Sequence, residues 1–164
     1  MSYKIDMFLK KANNMSDNYF VQSNLTLGSV ESFTGGLFAE TITSVSGASK
    51  FYKGGLVTYA TEEKHKLLGI PNELINQHGV ISKEIALYMA NNGRQLLNVD
   101  CCVSFTGNAG PDAMEGKPVG EVHIGIAWRD TVQVYSLLLK GDRKSIREQA
   151  VNFALEKIHL SVKK

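Results

Sequence analysis

Leu25-Thr26-Leu27-Gly28-Ser29-Val30-Glu31-Ser32-Phe33-Thr34-Gly35-Gly36 is a strand-like run that meets a hydroxyl and a pair of glycines, with the helix-like segment Leu37 to Ile42 directly after it. A strand, a tight glycine turn and a helix in that order lift the Ser32 side chain above a sheet edge. They also aim backbone N–H groups and the positive end of a helix dipole at whatever sits beside it. Ser32 is therefore the first candidate nucleophile.

Working outward, residues 3 to 22 place Ile5, Phe8 and Leu9 at helical spacing, which predicts an amphipathic first helix. Downstream, the helix begun at Leu37 should run to about Ser44, and Leu56-Val57-Thr58-Tyr59 reads as a second strand entered through Gly54-Gly55. Thr61 is placed as the cap of a short helix carrying Lys64, Leu67 and Leu68, which Gly69-Ile70-Pro71 stops before another short helix. Ser82 should cap a longer one with Ile85, Ala86, Met89 and Leu96 on one stripe. Cys101 to Phe105 is a third strand running into the loop Thr106-Gly107-Asn108-Ala109-Gly110-Pro111. Val119 to Trp128 and Val132 to Leu139 form a hairpin turned at Arg129-Asp130, and Asp142 caps a last helix with Ile146, Ala150, Phe153, Ala154 and Ile158 inward. About five strands interleaved with about five helices, two strands being adjacent near the end, predict a three-layer α/β/α domain with a mixed sheet.

A chain of 164 residues suits one such domain, spanning residues 1–164 with its core at about 20–160. Hydrophobic content of 43% and charged content of 21% are those of a soluble globular protein, and no apolar run approaches a membrane span. The formal charge of +2 and the absence of a dense basic run do not indicate a nucleic-acid surface. Met1-Ser2-Tyr3-Lys4-Ile5-Asp6 lacks the layout of a secretory signal, so a cytoplasmic location is expected. Adjacent Cys101 and Cys102 would point to opposite faces of a strand and cannot easily bridge each other; both are read as buried apolar fillers.

Ser32 needs a base. None of His65, His78, His123 and His159 stands in an obvious catalytic context, so lysine, the other known activator of serine hydroxyls, is considered, provided that burial keeps it neutral. Tyr59 at the end of the second strand and Lys64 at the start of the next helix could lean over the edge from which Ser32 emerges. On spacing alone the plainer reading stays open: a capping Ser32, a half-buried Tyr59 and a solvated Lys64. The glycine loop at Thr106 to Pro111 offers N–H donors for a phosphate. Gly110 and Gly116-Lys117-Pro118 miss the Walker A spacing and sequence, which disfavours a nucleoside triphosphatase. Arg143 at a helix start is either a phosphate clamp or a solvated arginine. Asp112 and Glu115 form no metal-ligand pattern, and no metal is expected.

Several blocks, in order and spacing, resemble the CinA C-terminal domain family: Glu31-Ser32-Phe33-Thr34-Gly35-Gly36, Gly54-Gly55-Leu56-Val57-Thr58-Tyr59 through Glu63-Lys64, Leu68-Gly69-Ile70, His78-Gly79-Val80-Ile81-Ser82, Thr106-Gly107-Asn108-Ala109-Gly110-Pro111 and Lys117-Pro118-Val119-Gly120. The resemblance covers roughly residues 20 to 160 and implies a nicotinamide mononucleotide deamidase, with Ser32 and Lys64 as the catalytic pair, Tyr59 assisting and Thr106 as the loop threonine. On that footing Thr34, Gly35 and Gly36 would hold the oxyanion, while Gly107, Asn108, Gly110, Lys117 and Arg143 would receive the nucleotide. No cofactor is required. The partners expected are a small-molecule nucleotide and further copies of the chain in a homo-oligomer, with no nucleic acid and no membrane. Larger members carry an additional pyrophosphatase domain, for which the chain has no room. Phe33 and Asn108 depart from the family pattern, which commonly has a cysteine and an aliphatic residue there; Phe33 is read as core rather than as a ring-stacking surface. The alternative function is a non-catalytic nucleotide-binding or competence- and damage-associated interaction module, and a third is an amidase for another amide.

Overall fold

The structure, a computed structural model, describes residues 19–161. Of the helix expected over residues 3 to 22, only the end, α1 (Tyr19–Gln22), lies within the described residues. The opening stretch folds as read: β1 is Leu27–Glu31 and α2 is Leu37–Thr43. Every residue of β1 is buried, as befits a strand covered by helices on both faces in mid-sheet. The sheet runs β2-β1-β3-β4-β5. Here β2 is Tyr52–Val57, β3 Cys101–Gly107, β4 Glu121–Trp128 and β5 Thr131–Leu138. β1 pairs in parallel with β2 and β3, and β3, β4 and β5 are antiparallel neighbours, giving the mixed sheet.

β2 begins four residues earlier than expected, because Gly54 and Gly55 pair with Gly28 and Ser29 instead of forming a loop. A Cβ at Gly55 would meet the Ser29 and Tyr52 hydroxyls, which bond each other at 2.7 Å. The missing side chain is what lets that pair form. Tyr59 consequently lies two residues beyond the strand. Thr61 is the first residue of α3 (Thr61–Leu68), behind Ala60, and not its cap. β3 runs on through Thr106 and Gly107, whose partners are His123 and Val122.

α4 (Asn72–His78) follows Pro71, and α5 (Lys83–Leu97) starts at Ser82, whose hydroxyl accepts from Ile85 N–H. Ile85, Ala86 and Met89 are buried as expected, but Leu96 is 58% exposed and Leu97 packs instead. α6 (Arg143–Ser161) is capped by Asp142, whose Oδ1 accepts from Ser145 N–H at 2.8 Å.

Two apolar clusters lie on the two sides of the sheet. One joins Leu27, Cys101, Val103 and Phe105 to Phe38, Ile42, Ile146, Ala150, Ala154 and Ile158; the other joins Val30 and Cys102 to Leu68, Ile75, Ile85 and Met89. The two cysteines thus fall on opposite faces, both as free thiols. Phe33 fills the first cluster. α5 approaches the sheet closely because Gly125 has no Cβ, which would stand 2.5 Å from Ala86 O.

The arrangement positions a site. β2, β1 and β3 are parallel, so their carboxyl ends share one edge, and the chain leaves β1 between neighbours connected in opposite directions. Such switch points form crevices in open α/β sheets. Ser32, the segment Thr58 to Lys64 and the loop after Gly107 all arise at that edge.

Candidate active site

Ser32 is the first residue after β1, and its N–H donates to Phe105 O at 2.9 Å, tying the turn to β3. The turn then reverses through Gly35 and Gly36, at φ 57° and 97°, a left-handed pair that side chains with a Cβ rarely adopt. Opposite stands Lys64. It is 1% exposed, and its Nζ donates to Thr58 O at 2.8 Å and to Ser32 Oγ at 3.2 Å. Placement on the fourth residue of α3 brings it there: α3 starts just past the end of β2 and turns this residue inward.

Burial makes the ammonium unfavourable and lowers the Lys64 pKa from 10.5 to about 8, while the charges of Glu115 and Glu62 pull weakly the other way. At neutral pH roughly a tenth of the molecules then carry a neutral amine, against about 0.03% for an ordinary lysine. A neutral amine keeps N–H for Thr58 O and turns a lone pair toward the Ser32 hydroxyl. The arrangement can therefore remove a proton from serine.

Tyr59 does not join this pair by contact. It is 59% exposed, and its hydroxyl accepts from Arg143 Nη2 at 2.8 Å. Arg143 Nη1 donates to Gly110 O at 2.7 Å, so the arginine links the segment after β2 to the glycine loop after β3. Asn108 is buried and organises that loop: its amide nitrogen donates to Asp112 O and its oxygen accepts from Gly110 N–H. Thr106, also buried, spends its hydroxyl on Val80 O at 2.5 Å. Gly107 lies under β4, where a Cβ would stand 2.7 Å from Val122 Cα. Among the predicted ligands, Lys117 departs furthest. It pairs with Glu121 at 3.4 Å and lines a separate cavity of about 690 Å³ with His78, Lys83, Glu84 and His123, away from Ser32. In that cavity burial pushes the His123 imidazole pKa below its usual value.

The Gly35 and Gly36 N–H groups, expected to face an oxyanion, already have acceptors, in Ser32 O and Glu31 Oε2 respectively. Among the described residues, the Phe33 and Thr34 N–H groups remain without one. The Thr34 and Thr58 hydroxyls are buried and have no hydrogen-bond partner among the described residues.

Two residues at the site escaped the sequence reading. Glu31 is 1% exposed and its carboxylate accepts from Gly36, Phe38 and Ala39 N–H at 2.9–3.0 Å, so the start of α2 is filled by the chain's own acid. Arg147, one turn after Arg143, donates to Thr34 O through Nε and Nη2. Their signals were present: an acid just ahead of a helix start, which the dipole favours, and arginines four residues apart on one helix face. Among the described residues, no three His, Cys, Asp or Glu side chains converge as metal ligands would, and no helix is long and apolar enough to cross a membrane.

Fold and site together define a three-layer α/β domain with a buried lysine against a serine at the switch point of its sheet. The chain belongs to the CinA C-terminal domain family, whose model matches residues 9–162. It is 44% identical over 140 residues to a Lactiplantibacillus plantarum protein named "Putative competence-damage inducible protein", covering 85% of this chain and 33% of the relative. A Bacillus pumilus protein of the same name is 42% identical over 79% of this chain and 31% of its own length. The chain thus spans about a third of these relatives. A competence/damage inducible protein from Agrobacterium tumefaciens superposes with a TM-score of 0.88 at 29% identity, over 98% of this chain and 96% of that one. A CinA superfamily protein from Klebsiella pneumoniae shares the fold, with a TM-score of 0.90 at 24% identity over 97% and 98% of the two chains.

Proposed function

We propose that this protein hydrolyses the carboxamide of nicotinamide mononucleotide, giving nicotinate mononucleotide and ammonia. The observation that carries the reading is the 3.2 Å contact of a buried, pKa-lowered Lys64 with Ser32 Oγ. Neutral Lys64 takes the hydroxyl proton as Ser32 attacks the amide carbon, and the charge developing on the carbonyl oxygen falls to the Phe33 and Thr34 N–H groups. Lys64 returns the proton to the leaving ammonia. A water, deprotonated by the same amine, then cleaves the acyl-enzyme.

Arg143, spanning Tyr59 and Gly110, supplies the cation for the nucleotide phosphate, and remote binding of this kind positions the amide. Tyr59 serves in this scheme as part of the site wall and as the partner that aims Arg143. The Asn108-ordered glycine loop forms the opposite wall. The test is direct: purified protein is given the nucleotide, and ammonia and the acid product are measured beside Ser32→Ala and Lys64→Arg. Both variants should lose at least about 10³-fold in kcat, the guanidinium because it stays charged and cannot be the base. Normal turnover in either removes the mechanism. Nucleotide binding without ammonia release would favour a binding module instead, and equal cleavage of free nicotinamide would favour a general amidase.

A further inference from the structure

We propose that Glu31 is a positioning residue for the nucleophile: its buried carboxylate, clamped on three backbone N–H groups at the start of α2, sets the direction of Ser32 Oγ and of the Phe33 and Thr34 N–H groups. The inference rests on the reading of Ser32 as nucleophile, but not on the identity of the amide.

The geometry is specific. Glu31 Oε2 accepts from Gly36 N–H and Phe38 N–H at 3.0 Å each, and Oε1 accepts from Ala39 N–H at 2.9 Å. The chain between Glu31 and Gly36 is only Ser32, Phe33, Thr34 and Gly35, so the bonds close a short ring of backbone that contains the nucleophile. Gly35 N–H donates to Ser32 O inside this ring at 3.0 Å. From outside it, Arg147 grips Thr34 O. These contacts turn the Thr34 carbonyl toward α6. Charge-assisted bonds from a side chain that is 1% exposed hold such a turn far more rigidly than water could.

The consequence can be read without substrate. A sulfonyl fluoride, with the labelled residue located by peptide mass mapping, reports on Ser32: the Oγ–S bond forms as the S–F bond breaks, fluoride leaves, and the hydroxyl proton passes to Lys64 Nζ. Wild-type protein should be labelled fastest at Ser32, and Ser32→Ala should lose that fast phase. Glu31→Gln matches the shape but sets an amide NH₂ against one of the three N–H donors, so it should melt cooperatively yet be labelled at least 10-fold more slowly. Its kcat on the nucleotide should fall by a similar factor with KM within twofold, a split that a merely loosened fold would not give. If Glu31→Gln does not fold, Glu31→Asp, which keeps the charge but falls short by one methylene, should show the same slowing. Labelling and kcat within twofold of wild type in a folded variant overturn the proposal. Brisk labelling of wild type together with no ammonia release would instead sink the amide reading while leaving the Glu31 assignment intact.

Discussion

Replacing Lys64 by methionine should change how stability responds to pH by an amount that follows from the site. A lysine whose pKa is about 8 when folded and 10.5 when unfolded binds fewer protons in the folded state between those values, so its burial penalty is full below about pH 8 and disappears toward pH 10.5. The shift of about 2.5 units corresponds to about 3 kcal/mol at 1.36 kcal/mol per unit. Wild-type protein should therefore gain about 3 kcal/mol more than Lys64→Met between pH 7 and pH 10.5, with all other titrating groups cancelling in the difference. The absolute stability of Lys64→Met is less informative, since the unpaired Thr58 carbonyl costs about 1–3 kcal/mol and offsets the relief of the buried charge. Urea unfolding of both proteins at several pH values measures the quantity. Parallel curves would refute the reasoning, because Lys64 would then titrate as an ordinary surface amine and could not be Ser32's base at neutral pH.

The same group predicts an activity profile in which kcat/KM for the nucleotide rises tenfold per pH unit below about 8 and levels off above it, as checked by initial rates across pH 6–9.5. Arg143→Ala should raise KM for the nucleotide by about 10–100-fold, the worth of one charge-assisted contact, while leaving the rate of Ser32 modification near wild type. Asn108→Leu restores an aliphatic side chain but orphans Gly110 N–H and the Asp112 carbonyl, so thermal melts should show a loss of about 1–3 kcal/mol. Gly93→Ala pushes a methyl into Val30 and the Cys102 thiol beneath α5 and should cost a similar amount through overpacking.

Where the sequence was read correctly, the information was local. Strand, glycine turn and helix around Ser32 follow from hydrophobic run and punctuation, and the Ser82 and Asp142 caps follow from side-chain oxygens three residues ahead of an N–H. Errors fell where a distant partner decides. Gly54 and Gly55 look like a loop until β1 offers a ladder. Tyr59 looks like a partner of Lys64 by spacing, yet the chain leaves β2 two residues sooner and hands its hydroxyl to Arg143, 84 residues away.

The primary structure was enough to read the layer order and to single out Ser32 and Lys64 as candidates, because hydroxyl, lysine and glycine turns occupy fixed places along short elements. That Lys64 is buried against Ser32 Oγ was decided only in three dimensions. Its pKa depends on water being excluded by α3, the β2 end and the Ser32 turn together, and no local pattern encodes that desolvation. The same holds for Glu31, an ordinary strand-end acid on paper, whose three donors exist only once α2 has folded back over it.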